Sequence, residues 1–280
     1  MPELALKNYK INKWVSSGNP SIEEDLVAVE EPLEILLIHN SELGVVETEV
    51  VLTMRSPGND NELAVGFLFN EGIIKSYNEI KHIRYCVKTA ESKKNKLRIT
   101  LKDLIRVNTK VLKRNFTSTS SCGVCGKLIL EQLSIRFSKN ELLKKISVET
   151  IVKLPSLLSS EQLLFKYTGG IHACALFTSN GSLISVKEDI GRHNALDKII
   201  GNRLIEGNSF VNTIIVLSGR VGYEMIQKAA IAGIPVVVAI GAPTSLAIDI
   251  AKKAGICMIG FAKNNSLNCY SNTEYIDFEK

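Results

Sequence analysis

The sequence predicts an α/β protein with a C-terminal βαβαβ unit, a mixed sheet ahead of it and a smaller α+β portion at the N-terminus. Three observations predict it. Thr213 to Leu217, Pro235 to Ile240 and Ile256 to Phe261 are continuous apolar runs, and helix-length stretches reaching Ala232 and Ala254 alternate with them. Such runs suit strands buried on both faces, and the alternation suits parallel pairing through right-handed crossovers. Upstream, residues 33 to 101 show the period-two patterning and turn clusters of antiparallel strands. Between the two regions, Asn180-Gly181 separates apolar segments and is the strongest short hairpin signal in the chain.

Taken in order, residues 1 to 30 carry little beyond a turn at Gly18-Asn19-Pro20. Leu33 to His39 and Val45 to Thr53 read as two strands, the second with Val46, Thr48, Val50 and Leu52 on one side. A loop from Met54 to Asn61 follows, and Asn59 to Asn61 are placed to cap an apolar helix from Leu63 to Phe69 that stops at Glu71-Gly72. Ile83 to Lys88 and Leu97 to Leu101 read as strands across a solvated turn holding Lys93, Lys94 and Lys96. Leu128 to Phe137, Val148 to Leu158 and Glu161 to Tyr167 read as helices. Ile171 to Phe177 and Leu183 to Val186 are the hairpin strands, and Asn194 to Leu204 has amphipathic helical spacing. These elements divide the chain into an N-terminal α+β domain, 1–115, and an α/β domain, 116–280.

A chain of 280 residues has enough apolar content for one large core or two unequal ones. The formal net charge of +5 suits an anionic ligand, and no nucleic-acid partner is expected. No basic region followed by an apolar segment opens the chain, and no apolar run reaches the roughly 18 residues of a membrane span. Six cysteines in a chain of this length are not a disulfide scaffold. A cytoplasmic protein without membrane attachment is expected.

In a reducing compartment a Cys-x-x-Cys is catalytic or metal-binding more often than structural. Cys122 and Cys125 have that spacing, after the hydroxyl-rich Thr117-Ser118-Thr119-Ser120-Ser121 and before an apolar run. Hydroxyls ahead of a helical pattern mark a helix N-terminus, where backbone N–H groups favour a thiolate, the nucleophilic form of sulfur. Structural zinc needs four ligands. The chain has no second paired motif, and Cys86, Cys257 and Cys269 lie in unrelated contexts, so no metal site and no bound zinc are expected.

Ligands of open parallel sheets bind outside the carboxyl ends of the strands. Ser218-Gly219-Arg220, Gly241-Ala242-Pro243-Thr244-Ser245 and Phe261-Ala262-Lys263-Asn264-Asn265-Ser266 all fall there. Arg220 offers a fork for phosphate. Glu188-Asp189-Ile190-Gly191-Arg192-His193-Asn194 gathers two carboxylates, a guanidinium, an imidazole and an amide at a strand-to-helix junction. It reads either as a solvated helix cap or as a polar lining in which Arg192 holds an anion and His193 moves a proton or orients a group. His172 and Cys174 share a strand face, which fits a plain half-buried strand as well as a site.

Six ordered motifs give the chain a resemblance. They are Ser56 to Leu68, Ser121-Cys122-Gly123-Val124-Cys125-Gly126-Lys127, Thr168 to Ala173, Glu188 to Lys198, Ser218-Gly219-Arg220 with Glu224, Met225 and Lys228, and Gly241 to Ala247. In these stretches the chain resembles the FdhD/NarQ family of formate dehydrogenase accessory sulfurtransferases, over roughly residues 30 to 270. The resemblance implies a cytidine-deaminase-like α/β domain without the deaminase zinc, a smaller N-terminal domain, and a homodimer. It implies sulfur taken as persulfide from a cysteine desulfurase and passed to the molybdenum cofactor, a bis-molybdopterin guanine dinucleotide, before insertion into formate dehydrogenase. The persulfide role falls on Cys122, with Cys125 assisting or relaying. The cofactor-binding segment, after the last strand, matches Phe261, Ala262, Lys263, Asn264, Asn265 and Ser266, with Asn264, Asn265 and Ser266 standing where some members carry glycine and arginine. Two alternatives from other classes are a non-catalytic cofactor-binding chaperone and a dithiol oxidoreductase cycling Cys122 and Cys125 through a disulfide.

Overall fold

A computed structural model describes residues 5–16, 18–42, 44–86, 94–103, 105, 107, 144–263 and 265–279. Cys122, Cys125, the expected helix from Leu128 to Phe137, the domain boundary after residue 115 and Asn264 lie outside the described residues.

The C-terminal apolar runs form parallel strands β10 (Thr213–Leu217), β11 (Val236–Ala239) and β12 (Cys257–Lys263). They are joined through helices α5 (Tyr223–Ala232) and α6 (Ser245–Ala254). Each helix stops at a glycine in the left-handed region, Gly233 and Gly255, where a Cβ would be strained. Thr244 caps α6 by accepting a hydrogen bond from the Ala247 N–H at 3.3 Å. Antiparallel strands complete the sheet on both sides. β8 (His172–Thr178) pairs with β10 and with β9 (Leu183–Asp189), and β13 (Ser266–Ser271) pairs with β12. The order is β13-β12-β11-β10-β8-β9.

Side-chain alternation splits the sheet's packing. Cys174, Leu176, Ile215, Leu217, Val237 and Met258 face α5, α6 and α4 (Arg192–Ile205). Ala173, Ala175, Phe177, Val216, Val238 and Ile259 face α2 (Val148–Glu161). A short parallel pairing of β7 (Ile146–Ser147) with β14 (Ile276–Asp277) lies beside α2.

The N-terminal part forms a second sheet, β4-β3-β6-β5, from β3 (Glu31–Ser41), β4 (Gly44–Arg55), β5 (Ile80–Tyr85) and β6 (Lys96–Leu101). The β3–β6 pairing is parallel and the others are antiparallel. Helix α1 (Asp60–Asn70) covers one face through Leu63, Ala64 and Leu68. Its cap position is Asn59, in the left-handed region and without a side-chain cap bond. The Asn59 amide instead donates to the Glu62 carboxylate at 2.9 Å.

Helix α1 also packs on α4, so the two sheets meet through a helix pair. The approach depends on two glycines. A Cβ on Gly201 would lie 1.8 Å from the Glu62 carbonyl oxygen, and one on Gly66 would lie 2.0 Å from that of Asp197. No other residue type fits at either position with the backbones this close.

Three expectations are corrected. Residues 1 to 30, read as uninformative, contain an antiparallel hairpin of β1 (Leu6–Lys13) and β2 (Ser21–Ala28), which packs on the short helix α3 (Leu163–Thr168). Its strands are almost wholly exposed, so the sequence lacks the alternation that burial of one face imposes. The strand expected to start at Ile83 starts at Ile80. The segment from Phe261 to Ser266 is not a loop after the last strand. Phe261, Ala262 and Lys263 end β12, Ser266 opens β13, and Lys263 pairs with Ser266.

Candidate functional site

The candidate residues meet at one end of the six-stranded sheet because β8 runs antiparallel to β9 and β10, so its first residues lie beside their last. His172 starts β8, paired with Asp189 at the end of β9, while β10 and β11 end at Leu217 and Ala239. The turns beyond β10 and β11 are laid against each other and against the end of β12. The Gly241 N–H donates to the Gly219 carbonyl at 3.2 Å, and the Phe261 N–H donates to the Gly241 carbonyl at 3.2 Å. A Cβ on Gly241 would meet the Gly219 oxygen at 2.7 Å and the Arg220 nitrogen at 2.8 Å. A Cβ on Gly260 would meet Pro243 Cδ at 2.8 Å. Glycine therefore lets the two turns and the end of β12 stack into one rim.

Arg192 and His193 open α4 directly after the β9 turn. His193 Nε2 lies 2.7 Å from a Glu224 carboxylate oxygen on α5, within ion-pair distance for a protonated imidazole but short of an aligned hydrogen bond. This contact with His193 holds the Glu224 carboxyl below its ordinary range. His172 packs against Gly219, whose Cβ would come within 3.2 Å of the ring. Burial, followed by the charges of Arg192 and His193, pulls the His172 pKa down, so this imidazole favours its neutral form. The Arg192 Nε is buried without a hydrogen-bond partner among the described residues. A buried guanidinium donor left open in this way is suited to an anionic acceptor. Arg220, Phe261, Lys263, Asn265 and Ser266 are exposed at the rim, whereas Ala262 is fully buried against the α2 side of the sheet. The Ala262 side chain is therefore a core group, and only its backbone remains for a ligand.

Beneath the rim lies a buried charge network whose function the sequence does not announce. Asp189, with no exposed surface, accepts hydrogen bonds from the Gly191 N–H at 2.8 Å, the Asn194 amide at 3.1 Å and the Ser56 N–H at 3.3 Å. Lys198 lies 2.7 Å from Asp189 and donates to the carbonyls of Ser56 at 3.0 Å and Glu188 at 3.2 Å. The Ser56 hydroxyl accepts from the Ile190 N–H at 3.1 Å. Arg55, equally buried, bridges the Asp60 carboxylate through Nε at 3.0 Å and a terminal nitrogen at 2.9 Å, which closes the Ser56–Asn59 loop. A second pair joins Asp197 on α4 to Lys228 on α5 at 2.7 Å, with the Asn70 amide of α1 donating to the same carboxylate at 2.6 Å. The α1 segment thus clamps the turn that presents Arg192 and His193. The signal available in sequence was the spacing of Asn194, Asp197 and Lys198, a polar ridge set into the apolar run Ala195, Leu196, Ile199 and Ile200.

Among the described residues no helix is long and apolar enough to cross a membrane.

A family model for the FdhD/NarQ family matches residues 28–277. A protein named sulfur carrier protein FdhD from Sulfolobus acidocaldarius is 43% identical, over 98% of this chain and 100% of that one. One of the same name from Sulfurisphaera tokodaii is 39% identical, over 98% and 100%. Another from Mycolicibacterium paratuberculosis is 39% identical, over 94% and 96%. In three dimensions the chain is similar to a crystal structure from Desulfotalea psychrophila, provisionally described as a formate dehydrogenase accessory protein. The TM-score is 0.75 and the identity 23%, covering 98% of this chain and 100% of that one, which shows a common fold. With a family match across nearly the whole length and full-length relatives at about 40% identity, the chain belongs to the FdhD/NarQ family.

Proposed function

We propose that the protein is a sulfur carrier with sulfurtransferase activity that serves formate dehydrogenase. It accepts persulfide sulfur from a cysteine desulfurase on Cys122, with Cys125 assisting. It then passes the sulfur to the molybdenum cofactor, as bis-molybdopterin guanine dinucleotide, before that cofactor enters the dehydrogenase apoprotein. The sulfur carrier names of its full-length relatives support the reading. The observation that carries the acceptor side is the open Arg192 Nε at a rim shared with exposed Arg220 and Lys263. A dinucleotide substrate carries phosphates that guanidinium forks and turn amides recognise.

In the first step the Cys122 thiolate attacks the outer sulfur of the donor persulfide, and the donor cysteine leaves as thiolate. In the second, Arg192, Arg220 and Lys263 hold the anionic acceptor while His193, paired with Glu224, supplies or takes a proton at the rim. The Cys125 thiolate attacks Cys122 Sγ and closes a Cys122–Cys125 disulfide, the outer sulfur leaves as hydrosulfide for the molybdenum centre of the substrate, and a thiol reductant then reopens the disulfide. We also infer that the 116–280 portion is a cytidine-deaminase-like domain, with a separate domain over 1–115, and that the protein acts as a cytoplasmic homodimer.

Intact-mass measurement after incubation with cysteine and a cysteine desulfurase tests the proposal. The protein should gain one sulfur, and Cys122→Ala should gain none. No gain on the unaltered protein, or equal gain on Cys122→Ala, would sink it. Arg192→Ala should load sulfur normally but lose activation of formate dehydrogenase by at least about tenfold, as expected for one lost charged contact.

A further inference from the structure

The described residues contain a thiol pair far in sequence from the Cys122 and Cys125 motif. Cys257 opens β12 and Cys269 lies in β13. Cys269 pairs with Ile259, two residues beyond Cys257, so the two cysteines share a face of the antiparallel ladder as diagonal neighbours. Their sulfurs stand 3.9 Å apart. We propose that Cys257 and Cys269 form a dithiol–disulfide site that reacts with small disulfides and, when oxidised, cross-links β12 to β13.

The geometry favours this over two inert core thiols. A disulfide bond is about 2.05 Å long, so each sulfur has to travel only about 1 Å. The pair is also asymmetric. Cys257 is fully buried, whereas Cys269 is half-buried at the sheet edge, where a small reagent can reach it. Hydrogen bonding from Cys257 holds the Cys269 thiol below its ordinary pKa, and the same contact, together with burial, pushes Cys257 up. That division makes Cys269 the attacking sulfur and Cys257 the resolving one. The Cys269 thiolate attacks one sulfur of a small disulfide such as oxidised glutathione. The reagent's S–S bond breaks and one glutathione leaves as thiolate. Cys257 then loses its proton to solvent, attacks Cys269 Sγ and displaces the second glutathione. Two protein thiols are oxidised and one small disulfide is reduced to two thiols. The cross-link would tie together the two strands whose connecting turn bears Lys263 and Ser266.

The test treats the intact protein with oxidised glutathione, alkylates the remaining thiols and maps the peptides. The expected product is a peptide spanning Cys257 joined to one spanning Cys269, two hydrogens lighter than the two separate thiol peptides. It should melt at a higher temperature than the reduced form and revert with dithiothreitol. Cys257→Ser should instead accumulate glutathione on Cys269. Alkylation of both cysteines after oxidation, or glutathione resting on Cys269 in the unaltered protein without a cross-link, would overturn the proposal. Because peptide mapping reads these positions separately from Cys122 and Cys125, the result is independent of the sulfur-carrier reading.

Discussion

Replacing Gly201 by alanine separates two effects that differ in sign. In an isolated helix the change would favour folding by about 0.8–1.0 kcal/mol, since glycine has the greater freedom to lose. At the α1–α4 crossing the added carbon would stand 1.8 Å from the Glu62 oxygen, where real contacts begin near 3.0 Å. The helices must therefore part by about 1.2 Å, and forced repacking of that kind costs about 1–3 kcal/mol or more. The same displacement pulls Asn70 from Asp197, now at 2.6 Å, and Ser56 from Lys198, now at 3.0 Å. Each leaves a buried polar group short of a partner, at about 1–3 kcal/mol. The net expectation is a loss of at least about 2 kcal/mol, read as a lowered urea midpoint. Gly66→Ala should act alike, and the double variant should lose less than the two losses combined, because the helices part only once. A midpoint for Gly201→Ala equal to or above that of the unaltered protein would refute the reasoning.

The buried charges and the rim imidazoles give further expectations. Lys198→Met strands the Asp189 carboxylate without exposed surface and should cost about 3–5 kcal/mol in urea unfolding, part of which Asp189→Asn in the same chain should recover. The Glu224 pKa is depressed by the contact with His193, so the carboxylate's own contribution is in place above the unfolded value of about 4.3 and is lost as pH falls through the folded one. Glu224→Gln should accordingly flatten the acid limb of a melting-temperature profile, and an unchanged limb would contradict the pairing. His172 is depressed too, by burial first, so its contribution is complete above about pH 6.5 and declines below it. His172→Asn should reduce that decline, and the His172 ring should titrate in NMR spectra below the ordinary histidine range.

The βαβαβ unit was legible because its strands are buried on both faces and therefore apolar without interruption, as in Val236–Ala239. The Asn180-Gly181 hairpin was legible because Gly181, at φ +84°, occupies a conformation that glycine favours. The β1–β2 hairpin was not, since residues such as Ile22 and Trp14 are exposed and no face imposes a period. The end of β12 escaped for a different reason. Phe261 adopts φ +51° at a register shift, which breaks the alternation that would have extended the strand to Lys263. Within the site, the residue types at the rim were legible as chemistry near strand ends. Their supports were not, because Lys198 and Asp197 look like the solvated face of an amphipathic helix until α1, distant in sequence, is laid across them. Ala262, read as lining, has its side chain in the core and presents only backbone at the rim.

The stacking of the turns at Gly219 and Gly241 on the end of β12 has a consequence for affinity. Each is held by the main chain of its neighbour, as in the bonds from Gly241 to Gly219 and from Phe261 to Gly241. The backbone beneath Arg220 is thus already ordered before any ligand arrives. Ordering a floppy loop on contact would cost free energy drawn from the interaction itself, whereas here only side-chain torsions remain to be fixed. A rim preorganised in this way can grip an anion through few contacts, and a bulkier residue at Gly241 should weaken binding by loosening the frame while leaving every charged group in place.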